Sequence, residues 1–247
     1  MGVIVITGGS RGIGASTAHN LARLGMGVIL TYKSNLDAAR QVVTQIEQAG
    51  GKAAALELDV ADVGSFVGFR NAVSKTLANK WGVRGLAGLV NNAGYGLFNP
   101  LDSVSEMQFD ALLSVHLKGP FFLTQTLLPL LEENACIVNL TSATTRVATT
   151  GVAPYASFKG GLEVLTRYMA KEFGERRIRA NSVSPGAIRT ELGGGLNDEF
   201  EALLASQTAL GRVGEPGDVA RVIGMLLSDE GGWINAQNIE VAGGYNI

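Results

Sequence analysis

Along the whole chain, short runs of β-branched and aliphatic residues alternate with longer segments of helical period, and this alternation most constrains the fold. Residues 3–7, 27–31, 53–58, 86–91, 135–141, 178–184 and 238–241 read as seven strands. Residues 13–24, 36–48, 63–79, 105–131, 155–173 and 216–228 carry the helical period between them. Such repetition predicts an α/β fold with a parallel, doubly wound sheet of about seven strands and helices on both faces. Most connections are short. The exception is 188–214, which holds Gly193-Gly194-Gly195 and an amphipathic piece at 199–205, and which reads as a flexible flap over a substrate. No repeat, low-complexity tract or linker divides the chain, so residues 1–247 are expected to form one domain.

Composition narrows the function. Glycine is in excess, 33 of 247 residues, against an average of about 7%, but six prolines and no three-residue period exclude collagen. With 46% hydrophobic and 17% charged residues, the chain can bury a sizeable core and is not disordered. A net charge of −2 with no basic block beyond Arg176-Arg177 offers no footprint for nucleic acid or an anionic membrane, so the expected partner is a small molecule. Cys136 is alone, which forbids an internal disulfide, and with only His19 and His116 no zinc cluster is expected. No signal peptide and no long apolar span are legible, and a cytoplasmic location is expected.

The first predicted strand runs directly into Gly8-Gly9-Ser10-Arg11-Gly12-Ile13-Gly14 and then a helix. Bare amides at a helix amino terminus, the helix dipole and glycines that admit a close backbone approach together suit a pyrophosphate. A turn serving only to pack helix on strand needs fewer glycines. A triphosphate-binding loop fits Gly9-x4-Gly14, but Ala15-Ser16 stands where its lysine must be. Gly8-x-Ser10-x-Gly12 also satisfies the nucleophile elbow of α/β-hydrolases, yet the chain has no histidine after His116 to complete a triad. In Rossmann-type folds an acid about 20 residues on holds the ribose 2′-hydroxyl of NAD. Here that position reads Tyr32-Lys33-Ser34, and Lys33 with Arg11 points to the 2′-phosphate of NADP(H) over NAD(H).

Thr7-Gly8-x3-Gly12-Ile13-Gly14, Leu58-Asp59-Val60, Asn91-Asn92-Ala93-Gly94, Ser142, Tyr155-x3-Lys159 and Pro185-Gly186 followed by Thr190 stand in order along the chain. In this the whole chain resembles the short-chain dehydrogenase/reductase family. The chemistry is intelligible from the residues. Tyr155 and Lys159, four apart on a helix, share a face. A carbonyl receiving hydride needs a proton, which a tyrosine supplies if its pKa is drawn toward working pH, and an adjacent ammonium favours the phenolate. Ser142 would hydrogen-bond the substrate oxygen as charge grows there. The resemblance further implies that Asp59 and Val60 contact adenine, and that Asn91, Ala93 and Gly94 line the coenzyme. Lys159 would bond the nicotinamide ribose, with Pro185, Gly186, Ile188 and Thr190 at the carboxamide. Asn91 also suits stabilisation of the sheet centre.

The function so implied is an NADP-dependent oxidoreductase interconverting a ketone or aldehyde and an alcohol. Two alternatives are a 3-ketoacyl-carrier-protein or CoA reductase and a non-catalytic NADP-binding sensor or assembly protein. The last would need no proton donor. Three positions depart from the family pattern. His116 replaces the asparagine that anchors a water beside the catalytic lysine, and it would hold that water, relay a proton or simply pack. Asn235-Ala236-Gln237 and Ala242-Gly243-Gly244 replace commoner residues near the expected subunit interface. Leu131-Glu132-Glu133-Asn134 replaces the basic residues with which ketoacyl reductases dock an acidic carrier, which ranks a free carbonyl above a carrier-bound one. A homotetramer or homodimer is implied, with Phe158, Leu162, Leu165 and Tyr168 suited to its interface, although core packing explains some of them equally well.

Overall fold

The structure, a computed structural model, describes Gly2 to Ile247. Seven strands form one sheet: β1 (Val3–Ile6), β2 (Gly27–Tyr32), β3 (Ala53–Glu57), β4 (Leu86–Asn91), β5 (Leu131–Leu140), β6 (Arg179–Pro185) and β7 (Asn238–Val241). Their order is β3-β2-β1-β4-β5-β6-β7, with every pairing parallel. Eight helices connect them: α1 (Gly12–Arg23), α2 (Leu36–Gln48), α3 (Phe66–Thr76), α4 (Glu106–Leu113), α5 (Gly119–Leu127), α6 (Ala153–Glu172), α7 (Asp198–Ser206) and α8 (Pro216–Leu227).

The two-residue period of a strand explains how one short segment serves two cores. Val3 and Val5 of β1 face a layer built on Phe66, Phe69 and Val73 of α3, Leu123 and Leu127 of α5 and Met169 of α6. Ile4 and Ile6 face the opposite layer, with Ala18 and Leu21 of α1, Val42 and Ile46 of α2 and Ile223 and Leu226 of α8. All four residues of β1 are buried, as a central parallel strand requires. The expected single-domain, doubly wound architecture is therefore the observed one.

Two predicted boundaries differ. The helix expected over 105–131 is broken: α4, opened by a capping box of Ser105 and Gln108, passes through a widened π turn at Ser114–Lys118 into α5. Pro120 brings no amide to the ladder, and Gly119 packs so tightly on the Val60 carbonyl that a β-carbon there would overlap it. The widened turn carries His116 into the interior. Strand β5 starts earlier than expected because Leu131 pairs with Leu86, after which the register jumps to Gly88 opposite Cys136.

The 188–214 segment is folded. It holds a tight turn at Leu192–Gly194 and α7, and is tied down by a parallel bridge of Ile188 to Gly214 and an antiparallel bridge of Thr208 to Tyr245. No helix among the described residues is long and apolar enough to cross a membrane.

Candidate active site

Strand order reverses between β1 and β4, and a cleft of roughly 1420 Å³ opens at their carboxyl ends. Thr7 and Asn92 hold its two lips together. Thr7 Oγ1 accepts from the amides of Asn92 and Ala93 at 2.9 and 3.0 Å, and Asn92 Nδ2 donates to the carbonyls of Thr7 and Gly8 at 2.8 and 3.0 Å. Gly8, at φ +64°, leaves no room for a side chain, since a β-carbon would lie 2.9 Å from Ala93 Cα. Gly12, at φ +56°, follows Arg11, which caps α1 with no side-chain hydrogen bond. The first amides of α1 therefore remain available to an anion.

Most sequence-predicted positions meet in this one cleft. Gly8, Ser10, Arg11, Gly12, Ile13 and Gly14 line it from β1 and α1, and Tyr32, Lys33 and Ser34 from the end of β2. Asp59 and Val60 follow β3, while Ala93 and Gly94 follow β4. His116, Ser142, Tyr155, Lys159, Pro185, Gly186, Ile188 and Thr190 complete the lining. Asn91 is the exception. Its Nδ2 donates to Asn139 Oδ1 at 2.8 Å and to Thr124 Oγ1 at 3.2 Å, so its side chain serves the sheet centre while the neighbouring Asn92 reaches the cleft.

Both cations expected to serve the 2′-phosphate carry acidic partners. Lys33 Nζ lies 2.7 Å from Asp59 Oδ2, and Arg11 Nη1 lies 2.9 Å from Glu191 Oε2 on the flap. Lys33 and Arg11 are each more than two-thirds exposed, so these pairs hold weakly and are exchangeable for a phosphate. Uncapped amides, glycines without room for a β-carbon and two exchangeable cations fit a phosphorylated dinucleotide.

At the other end of the cleft, Ser142 Oγ accepts from the Thr144 amide at 3.2 Å and from Thr144 Oγ1 at 2.9 Å. With its acceptor sites engaged, the Ser142 proton is free to be donated. Burial pushes the Tyr155 phenol above its usual pKa, partly offset by the nearby Ser142 hydroxyl. Lys159 donates to the Leu140 carbonyl at 2.6 Å and stands 5.6 Å from the Tyr155 ring centroid, and burial brings its pKa down to about 7. At Tyr155 burial thus outweighs the Ser142 hydrogen bond. His116 is buried, packs edge-on against Tyr155 at 4.9 Å, and has Nε2 at 2.9 Å from the Tyr95 carbonyl. Burial and Lys159 lower its pKa to about 3. A neutral ring donating through Nε2 leaves Nδ1 a buried acceptor with no protein partner. That suits holding a water better than carrying a proton.

Sequence reasoning gave no role to Asn92 or Tyr95, and it did not resolve which residues of the flap, here Leu192, Phe200 and Leu204, line the cleft. Asn92 was within reach, since Asn91 ends β4 facing the same sheet side as Asn139 and its neighbour must point elsewhere. Among the described residues no cluster of potential metal ligands occurs.

A family profile described as enoyl-(acyl carrier protein) reductase matches residues 8–246. An uncharacterized oxidoreductase of Methylorubrum extorquens is 36% identical over 98% of this chain and 96% of its own length. The 3-oxoacyl-[acyl-carrier-protein] reductase FabG of Staphylococcus aureus is 34% identical over 97% and 96%. Among solved structures, the angucycline C-6 ketoreductase LanV with bound NADP superposes with a TM-score of 0.95 at 31% identity, covering 99% of this chain and 95% of that one. The promiscuous reductase LugOII, which catalyses keto-reduction at C1 during lugdunomycin biosynthesis, gives 0.95 at 36% identity, covering 100% and 98%.

The depressed lysine gives a pH prediction. An unfolded Lys159 titrates near the ordinary 10.5 and the folded one near 7, so between those values the unfolded chain binds more protons. The cost of burying the ammonium is present in full below pH 7 and is relieved as pH rises toward 10.5. In urea titrations from about pH 6 to about pH 10, the unfolding free energy of the wild type should therefore rise relative to Lys159→Met. A difference independent of pH would contradict this environment for Lys159. The order of motifs, the sheet, the cleft and the matches over nearly the full length of both chains agree: the chain belongs to the short-chain dehydrogenase/reductase family.

Proposed function

We propose that this protein reduces a free ketone or aldehyde with NADPH, and oxidises the alcohol in reverse, with Tyr155 as the general acid or base. The carrying observation is the convergence of Ser142, after β5, and of Tyr155 and Lys159, on α6, upon one wall of the cleft whose other end fits a phosphorylated dinucleotide. The protein is an NADP-dependent oxidoreductase of carbonyl and alcohol groups, as the NADP-bound ketoreductase and the 3-oxoacyl reductase among its relatives support.

NADPH, when bound, supplies hydride to the carbonyl carbon. The chain's residues handle the oxygen. Ser142 donates its free proton as a hydrogen bond to the oxygen as negative charge develops. Tyr155, protonated in its buried setting, transfers its proton to that oxygen and becomes phenolate. Lys159, with Nζ 5.6 Å from the Tyr155 ring centroid, favours the phenolate in its ammonium form. His116 holds a water at Nδ1 and remains neutral throughout.

A free carbonyl is preferred to a carrier-bound one because β5 begins with the exposed acids Glu132 and Glu133, which repel an acidic carrier. Arg177 is paired with Glu133, and Arg176 donates to the carbonyls of Leu128 and Leu131. LanV, also solved with NADP and rabelomycin, supports the same choice. We further place the protein in a reducing cytoplasm, where its buried single Cys136 stays a thiol. It is proposed to act as a homo-oligomer: Tyr168 and Val164 on α6 are exposed, whereas Phe158 and Leu162, expected at an interface, are core residues of the chain itself.

Tyr155→Phe should bind NADPH normally and lose about 10²- to 10⁴-fold in kcat, followed by NADPH absorbance with a panel of carbonyl compounds. An unchanged kcat would remove Tyr155 from the mechanism. Wild type should prefer NADPH to NADH in kcat/KM, and Lys33→Ala should raise KM for NADPH about tenfold while shifting that for NADH far less. Equal effects on both coenzymes would contradict the role given to Lys33.

A further inference from the structure

Beyond Ser142 and Tyr155, the cleft is lined by Leu97 and Phe98 after β4, by Val152, and by Leu192, Phe200 and Leu204 of the flap and α7. None of these is ionisable. Of the charged groups that also reach the cleft, Arg189 is held by Glu201 and Glu215, and Glu191 is an anion that offers no counter-charge to another. A phosphate or carboxylate in this lobe would lose its hydration with no free counter-charge in return.

The two phenyl rings are the unusual feature. Phe98 is 60% exposed and Phe200 40% exposed although both line a cleft. Other rings in and around the site are paired: Tyr95 with His116, His116 with Tyr155, and Phe109 with Phe158. Among the described residues neither Phe98 nor Phe200 is stacked on an aromatic partner. Phe98 also lies against the flap. A β-carbon on Gly193 would lie 3.0 Å from Phe98 Cε2, and one on Gly96 would lie 3.2 Å from Gly193 Cα, so the ring rests against flap backbone that only glycine permits. Gly193 itself stands at φ +67°.

We infer that this lobe binds a flat, fused-ring aromatic ketone carrying no phosphate or carboxylate, gripped by Phe98 and Phe200, with its carbonyl toward Ser142 and Tyr155. The inference rests on the carbonyl-reductase reading above and adds the substrate class and two specificity-determining residues. Aliphatic neighbours such as Leu97 and Leu204 reward any apolar ligand by burial alone. Ring-on-ring contact rewards aromatic ligands in addition, and that increment discriminates.

The test compares 2-tetralone with 2-decalone, which share a carbon skeleton and an unconjugated ketone but differ in aromaticity. Each is titrated calorimetrically into the wild-type protein saturated with NADP+, so that no turnover enters the measurement. The expected result is binding of 2-tetralone about tenfold tighter, equivalent to about 1.4 kcal/mol. Phe98→Leu and Phe200→Leu should each shrink that ratio toward unity while still melting cooperatively. Equal affinities, a ratio that survives both substitutions, or no binding of either ketone would overturn the inference. Because binding is read without turnover, that failure is distinct from a failure of the Tyr155 assignment, which the NADPH oxidation assay reports.

Discussion

The site depends on how β1 and β4 end side by side. Strand order reverses there, so the chain leaving β1 crosses over toward β2 while the chain leaving β4 crosses toward β5, and a crevice must open between the two exits. Left alone, its lips would expose carbonyls and amides with no ladder partner. Thr7 and Asn92 satisfy them across the gap, joining the glycine turn to the segment that carries Ala93, Gly94 and Tyr95. The turn is tied on its other side to β2, through Gly8 and Gly9 donating to Thr31. One crosslinked rim thus positions both the dinucleotide end of the cleft and, through the Tyr95 carbonyl and His116, the wall that holds Tyr155.

Burial sets the character of that wall. Desolvation raises the Tyr155 phenol, lowers Lys159 to about 7 and lowers His116 to about 3, so in each case the neutral form gains. Burial thus works against charge on this wall, where Ser142 keeps a hydrogen-bond donor free. Charge is then stabilised where it develops during reaction, by donors already oriented and costing no reorganisation. The opposite end behaves differently. Arg11 and Lys33 are exposed and only loosely held by Glu191 and Asp59, which suits a phosphate that must be both bound and released.

Much of this was legible in the sequence because it rests on local rules. Alternating periodicity located all seven strands, and the glycine turn, the Tyr155-x3-Lys159 pair and Ser142 each belong to a short motif whose chemistry implies its neighbours. What the sequence did not disclose is long-range. Glu191 meets Arg11 across 180 positions, so the pairing of that cation was invisible. The break between α4 and α5 came from Gly119 pressing on Val60, a tertiary contact that overrides a continuous helical period. Asn91 and Asn92 are adjacent and alike in chemistry, and only strand parity sends the first to Asn139 and the second to the cleft. The sequence marked the flap and its amphipathic piece, but glycines do not reveal the bridges at Ile188 and Thr208 that tie it down.

The central claim is that carbon receives hydride from the coenzyme while oxygen receives its proton from Tyr155 on one wall of the cleft. Isotopic labelling tests it most directly. With NADPH deuterated at one and then the other face of C4, and a ketone that the protein turns over, the account predicts one deuterium at the carbinol carbon from a single face. It also predicts a slower rate in D2O, with the proton on oxygen drawn from solvent through Tyr155. Coenzyme consumption with no deuterium on the product carbon, or label appearing equally from both faces, would contradict it.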